Sequence, residues 1–130
     1  MRKEKFTVEY ILRSNTSQVQ IWKYLSSPEG LSSWFADDVT VDKNTYRFCW
    51  KEHVQEAKLI SIDDYKFCIR FQWLEEEEEY VTYFQFDLKK DDITQDISLI
   101  ITDFASETEK EDLIDLWNTQ IEVLRRITGT

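Results

Sequence analysis

Between Asp38 and Phe104 the sequence repeats one pattern, in which apolar and polar residues alternate in short runs and polar turns separate the runs. This period of two is typical of β-strands, and the close spacing of the runs is typical of an antiparallel meander. Such a sheet has one apolar face, which another layer of structure must cover. That requirement restricts the fold more than any other feature of the chain.

The alternation predicts strands at 4–13, 39–41, 46–51, 53–62, 65–74, 80–89 and 93–104. The first strand is expected to pair near the last ones, because this reduces the number of open sheet edges. The clearest run, 65–74, places five residues on one side of the sheet: Tyr65, Phe67, Ile69, Phe71 and Trp73.

The run 53–62 leaves its buried face undecided. One alternative turns Val54, Ile60 and Ile62 inward, and the other turns Ala57 and Leu59 inward. A β-bulge within the run would reconcile the two patterns.

Two short helices are predicted after the first strand, at about 19–25 and 28–34. Asn15 and Thr16 are candidate caps for the first helix. Ser27 suits the cap of the second, and Pro28 suits its first turn, where a missing N–H costs nothing.

The chain ends in a long amphipathic helix, the only predicted element long enough to cover the sheet. Ser106-x-x-Glu109 and Thr108-x-x-Glu111 are both candidate capping boxes at its start. Its apolar stripe follows spacings of three and four: Leu113, Leu116, Trp117, Gln120, Ile121 and Leu124. The elements together predict one α+β domain spanning residues 1–130.

Composition agrees with a globular domain and disfavours several classes of function. Of the 130 residues, 42% are apolar and 15% aromatic, so the interior is expected to be rich in rings. The net charge is −10, and half of it lies in the run Glu75–Glu79, which is interpreted as a solvated hairpin tip. An acidic protein repels nucleic acids and anionic membranes, so neither is an expected partner.

The cysteine and histidine pattern predicts no metal site. Cys49 and Cys68 have no metal-ligand spacing, and a strand is predicted between theirs, so both are expected to be free thiols. The single His53, without an assignable partner, is more typical of a surface or structural residue than of a catalytic base. No apolar run is long enough for a membrane span, and we expect a cytoplasmic location and no cofactor.

The stretch Tyr24–Thr40, which reads YLSSPEGLSSWFADDVT, is the most specific motif of the chain. A short helix with a Trp and a Leu precedes a Pro-acid-x-Leu element that ends in Trp34-Phe35. With the order of elements, this motif resembles the helix-grip fold of the START-like, or SRPBCC, superfamily. The resemblance is greatest to the bacterial branch related to the chaperone ATPase activator.

The resemblance implies a curved antiparallel sheet of about seven strands wrapped around the C-terminal helix. It also implies that a small apolar or amphipathic molecule binds between sheet and helix, while the same inward rings could instead fill that space themselves. The expected ligand-binding residues are Trp34, Phe35, Phe48, Trp50, Phe67, Phe71, Trp73, Phe84, Phe86, Leu99, Ile101, Trp117 and Gln120.

Three functions follow as hypotheses. The first is non-enzymatic binding of that small molecule, with Gln120, Asp103 and Gln95 as candidate polar groups facing the pocket. The second is a protein-interaction module like the chaperone activators, or a homodimer formed through open strand edges. The third is an enzyme acting on a bound hydrophobic substrate, for which only Asp103 and Glu56 are candidate catalytic groups.

Overall fold

A computed structural model describes residues 2–12, 17–74 and 81–130 of the chain. It consists of β1 (Glu4–Leu12), α1 (Gln18–Ser26), α2 (Pro28–Trp34), β2 (Asp38–Asp42), β3 (Thr45–Trp50), β4 (His53–Asp63), β5 (Cys68–Trp73), β6 (Tyr83–Lys90), β7 (Ile97–Ala105) and α3 (Lys110–Thr128). The predicted caps Asn15 and Thr16 and the run Glu75–Glu79 lie outside the described residues.

The seven strands form one antiparallel sheet in the order β1-β7-β6-β5-β4-β3-β2. The first strand pairs with the last along its whole length, from Glu4 opposite Ala105 to Leu12 opposite Ile97. This confirms the predicted α+β helix-grip fold and the pairing of the chain's first strand. Among the described strands, β1 and β2 lie at the two edges of the sheet.

The predicted strand 65–74 is too long at its start, because an Asp-based turn occupies the first residues. The Asp63 Oδ1 atom accepts the backbone N–H groups of Tyr65 and Lys66 at 2.9 and 3.0 Å. Tyr65 is 95% exposed, so the inward position predicted for it is wrong. Phe67 has a φ of 55° and lies outside the strand, although its side chain still packs against the core. The strand begins only at Cys68.

The predicted strand 93–104 is shortened by the same kind of turn. The Asp91 Oδ1 atom accepts the N–H groups of Ile93 and Thr94 at 2.8 and 2.9 Å. Gln95 is exposed with a φ of 65°, and its amide donates to the Asp92 carbonyl. It therefore cannot be the inward polar group that the sequence suggested.

In β4, the structure decides between the two alternatives that the sequence left open. Ala57 is fully buried and Leu59 lies opposite Phe71, which confirms this pair as the inward set. The pairing with β5 shifts between Leu59 and Ser61, so the expected bulge is present. Val54 and Ile60 are 46% and 42% exposed.

The two short helices begin with side-chain caps. Ser17 and Gln20 form a reciprocal capping box at α1, a cap that the sequence reading missed. The Ser27 hydroxyl accepts the Gly30 N–H at 3.0 Å and Pro28 is the first residue of α2, which confirms both predictions.

The long helix begins at Lys110, later than either predicted capping box places its start, and neither Ser106 nor Thr108 is its N-cap. Ser106 donates its hydroxyl to the Glu109 carboxylate at 2.8 Å, and Glu109 caps the helix without a side-chain bond. The helix buries Trp117, Ile121 and Leu124 against the sheet side, whereas Leu116 is 53% exposed.

Candidate functional site

The deep half of the space between sheet and helix is filled by side chains. Phe71 and Phe84 stack with ring centroids 5.0 Å apart, and Phe48 meets Phe71 edge to face at 5.9 Å. This packed cluster comprises six predicted ligand-binding residues with no exposed surface: Phe48, Phe71, Phe84, Phe86, Leu99 and Ile101. They belong to the hydrophobic core, and none of them lines either of the two described pockets.

Phe35 separates this core from an open cleft. Its ring is 4% exposed and stacks on Trp117 at 5.6 Å and on Phe84 at 5.2 Å. The same ring contacts four further aromatic side chains: Trp34, Phe48, Trp50 and Phe86. Phe35 is thus core on one side and cleft lining on the other.

The cleft has a volume of about 680 Å³ and lies between the C-terminal end of α2, the β3–β4 turn and α3. The sheet contributes the indoles of Trp50 and Trp73. Leu116 of α3 also lines the cleft, and its side chain is 53% exposed to solvent. Small-molecule sites commonly have volumes of roughly 300–1,000 Å³ and mainly apolar walls. This is the described space that best fits a ligand.

The Phe35 carbonyl oxygen fixes three elements to one another at the inner end of the cleft. It accepts the Trp50 indole N–H at 2.9 Å and the Gln120 amide at 2.8 Å. Trp50 and Gln120 are both predicted site residues, and both line the cleft. The N–H groups in these two bonds point to the Phe35 carbonyl and away from a ligand. Gln120 therefore holds the end of α2 with one of its two amide N–H groups.

Asp103 is a buried carboxyl group among the cleft-lining residues. Its Oδ2 atom accepts the Trp117 indole N–H at 2.8 Å, and its Oδ1 atom accepts the Phe104 backbone N–H at 2.7 Å. Burial raises the pKa of Asp103 to about 6, against the opposing effects of those two hydrogen bonds and the charge of Lys3. At neutral pH the group is mostly a carboxylate.

The other polar candidates lie at the rim or away from the cleft. His53 is exposed at the rim and stacks on Trp50 with a centroid separation of 5.1 Å. Glu56 is exposed, does not line the cleft and lies opposite Arg47 in the β3–β4 pairing, so its proposed place inside the pocket is wrong. Phe67 packs on Trp22 at 5.6 Å and is also remote from the cleft lining.

Cys49 and Cys68 are both free cysteines, on strands that β4 separates, as predicted. Burial, followed by a hydrogen bond and the negative charge of Asp87, raises the pKa of the Cys68 thiol to about 11. A thiol with such a pKa is a poor nucleophile at neutral pH. Within 2–12, 17–74 and 81–130, no three His, Cys, Asp or Glu side chains form a group that could hold a metal ion.

Six of the thirteen predicted ligand-binding residues line the cleft: Trp34, Phe35, Trp50, Trp73, Trp117 and Gln120. The predicted ligand-binding residues include Trp117 and Gln120 of α3 but leave out Leu113, Leu116 and Val123, which line the same cleft. Leu113 and Leu116 belong to the predicted apolar stripe of the helix, and the spacing of Val123 from Gln120 could have shown that it lies on the same side.

Comparison with known proteins assigns the chain to a family. The model of the START-like superfamily domain matches residues 1–130. A protein from Bacteroides fragilis, known from a solution NMR structure, is 40% identical over 98% of this chain and 92% of its own, with a TM-score of 0.67. The chain belongs to the START-like superfamily.

More distant structures share the fold alone. The Aha1 dimer from Colwellia psychrerythraea has a TM-score of 0.74 at 15% identity, over 98% of this chain and 96% of its own. A protein of the dynemicin biosynthetic locus has a TM-score of 0.78 at 13% identity, over 97% of this chain and 47% of its own. Among curated proteins, the comparison finds none that matches.

No helix within the described parts of the chain is long and apolar enough to cross a membrane.

Proposed function

We propose that this protein binds a small, flat, amphipathic molecule without converting it chemically, in the cleft between α2, the β3–β4 turn and α3. The observation that supports this most is the cleft of about 680 Å³, walled by the indoles of Trp50, Trp73 and Trp117. Membership in the START-like superfamily supports it too, because this fold commonly holds hydrophobic ligands. The packed core behind Phe35 restricts the ligand to the cleft and excludes a long chain threaded through the domain.

The chemistry of the lining favours binding over catalysis. Asp103, the buried carboxyl group of the cleft, is hydrogen-bonded to an indole and a backbone amide. A general base needs to reach the proton that it abstracts, together with a positioned nucleophile or water. Both Asp103 contacts hold the carboxyl in place and fit an anchoring role.

The test is a titration with N-phenyl-1-naphthylamine, an uncharged dye that fluoresces strongly in apolar sites and is excited apart from tryptophan. We expect saturable binding, weakened about fivefold by Leu116→Glu, which places a charge on the apolar lip. Val19→Glu is the matched control, because Val19 is 57% exposed on α1 and does not line the cleft. Absence of saturable binding, or equal weakening by both substitutions, would contradict the proposal.

A protein contact through the β2 edge of the sheet is the competing proposal. Its support is the edge strand β2, where Val41 is 39% exposed next to the cleft-forming hairpin. Sedimentation separates the two: ligand binding requires only the 15.7 kDa monomer, whereas pairing of β2 edges gives twice that mass.

A further inference from the structure

The charges around the cleft are unbalanced. Its lining includes three carboxylates, those of Asp37, Glu52 and Asp103, against the single ammonium of Lys51. Asp37, Lys51 and Glu52 are exposed at the rim, while Asp103 is only 7% exposed. A ligand in the cleft therefore meets negative potential at the mouth and at the inner wall.

Asp103 retains capacity for a further hydrogen bond. An ionised carboxylate offers about four lone-pair sites, and the two described hydrogen bonds occupy one on each oxygen. Those partners fix the carboxylate, so it is already oriented when a ligand arrives. Lys3 is close enough to lower the pKa of Asp103, but Lys3 is not among the residues that line the cleft.

The apolar walls favour the same ligand charge. Indole is the aromatic side chain that attracts a cation most strongly, because its ring face is electron-rich. Four indoles line the cleft together with the carboxylates, those of Trp34, Trp50, Trp73 and Trp117. A carboxylate ligand would find only Lys51 as a basic partner within this described lining, and that side chain lies out at the rim.

We infer that the cleft selects an aromatic molecule carrying a protonated amine, which Asp103 and Glu52 anchor while the indoles hold its ring system, and that it disfavours anionic amphiphiles. This inference rests on the proposed function and adds the charge of the ligand to it. It assigns Asp103 and Glu52 as residues that determine specificity.

The test compares three probes of similar shape: 2-(1-naphthyl)ethylamine, 2-(1-naphthyl)ethanol and 1-naphthylacetic acid. Near neutral pH the first is a cation, the second is uncharged and the third is a carboxylate anion. Dissociation constants are measured by calorimetry near neutral pH, with the neutral alcohol as reference. We expect the amine to bind on the order of tenfold more tightly than the acid, with the alcohol between them. An acid that binds as tightly as the amine would overturn the inference but leave the proposed function intact, and failure of all three probes to bind would overturn both.

Charge-neutral variants separate the cleft from the overall acidity of the protein. Asp103→Asn and Glu52→Gln should each reduce the amine-to-acid preference several-fold. Glu9→Gln is the control, because it removes the same charge from an exposed β1 position outside the cleft. The inference is overturned if Glu9→Gln reduces the preference equally, or if neither cleft variant reduces it. Glu52 is exposed, so Glu52→Gln keeps the test available if Asp103→Asn does not fold.

Discussion

At Gly30, the backbone of α2 lies directly against the backbone of α1. A Cβ atom at this position would lie 2.5 Å from the Tyr24 Cα atom and would also meet the Lys23 carbonyl oxygen. Both are backbone atoms, so neither can rotate away. Gly30, two residues after the only proline of the chain, therefore allows the two helices to make this contact. The contact in turn places Trp34 and Phe35 over the sheet.

Because of this contact, alanine should lower the free energy of unfolding by different amounts at the two glycines. Gly30→Ala should lower the free energy of unfolding by about 3 kcal/mol, because the helices must separate. Gly129→Ala should cost only about 1 kcal/mol, because it strains a left-handed residue but meets no other atom. Chemical denaturation of both variants gives the comparison, and equal costs would show that the helices do not pack through Gly30.

Asp103 connects stability to pH at the scale of one side chain. Burial raises its pKa from 3.8 to about 6, so between these values the folded protein binds more protons than the unfolded chain. The contribution of this group to stability therefore falls as the pH rises through that window. The protein tolerates this cost at neutral pH while keeping a carboxylate in the cleft.

Asp103→Asn should remove that pH dependence. We expect the unfolding free energy of the wild type minus that of the variant to fall by about 2 kcal/mol from about pH 4 to about pH 7. The exposed Asp63 and Asp91, whose pKa values are lowered by backbone hydrogen bonds, act in the opposite direction in both proteins and cancel in the difference. A difference that stays constant over this range would disprove the raised pKa.

At the scale of elements, the end of α2 is the part that links packing to the cleft. The Phe35 carbonyl, at the helix end, would lack a partner within the helix, and Trp50 of β3 and Gln120 of α3 supply two. These bonds join α2 to the sheet and to the long helix at the inner end of the cleft. The cleft is therefore built on fixed elements, as a preformed binding site requires.

The sequence predicts the elements well where a period extends over many residues. The alternation at Ile69, Phe71 and Trp73 and the capping pair Ser27-Pro28 are both found. It fails at Tyr65, and it extends the strand too far back through Phe67, because alternation alone does not show that the Asp63 side chain bonds the following backbone. Local side-chain hydrogen bonds can outweigh a strand pattern over two or three residues.

The candidate site is predicted less completely than the fold. The alternation along the strands assigns both Phe84 and Trp73 to the inward face of the sheet. Only Trp73 reaches the cleft, whereas Phe84 lies in the core. The difference depends on how far along the sheet each ring lies and on whether Phe35 covers it. Neither depth nor cover is encoded in the period of a single strand.

At the scale of the whole molecule, the domain has a packed end and an open end. Rings fill the space beneath the middle of the sheet, and Phe35 closes it off from the cleft beside α3. The domain thus fills its deep interior with side chains and leaves an open cleft at one end. This division predicts a ligand of limited size held by indoles.

The most direct measurement of ligand binding in the cleft is a ¹⁵N–¹H spectrum of the five tryptophan indoles during titration with 2-(1-naphthyl)ethanol. Trp34, Trp50, Trp73 and Trp117 line the cleft, whereas Trp22 lies outside it with its indole bonded to Asp64 at 2.9 Å. We predict saturable shifts of the four cleft indoles and an unmoved Trp22 signal. Unchanged cleft signals, or shifts of equal size at Trp22, would contradict binding in the cleft.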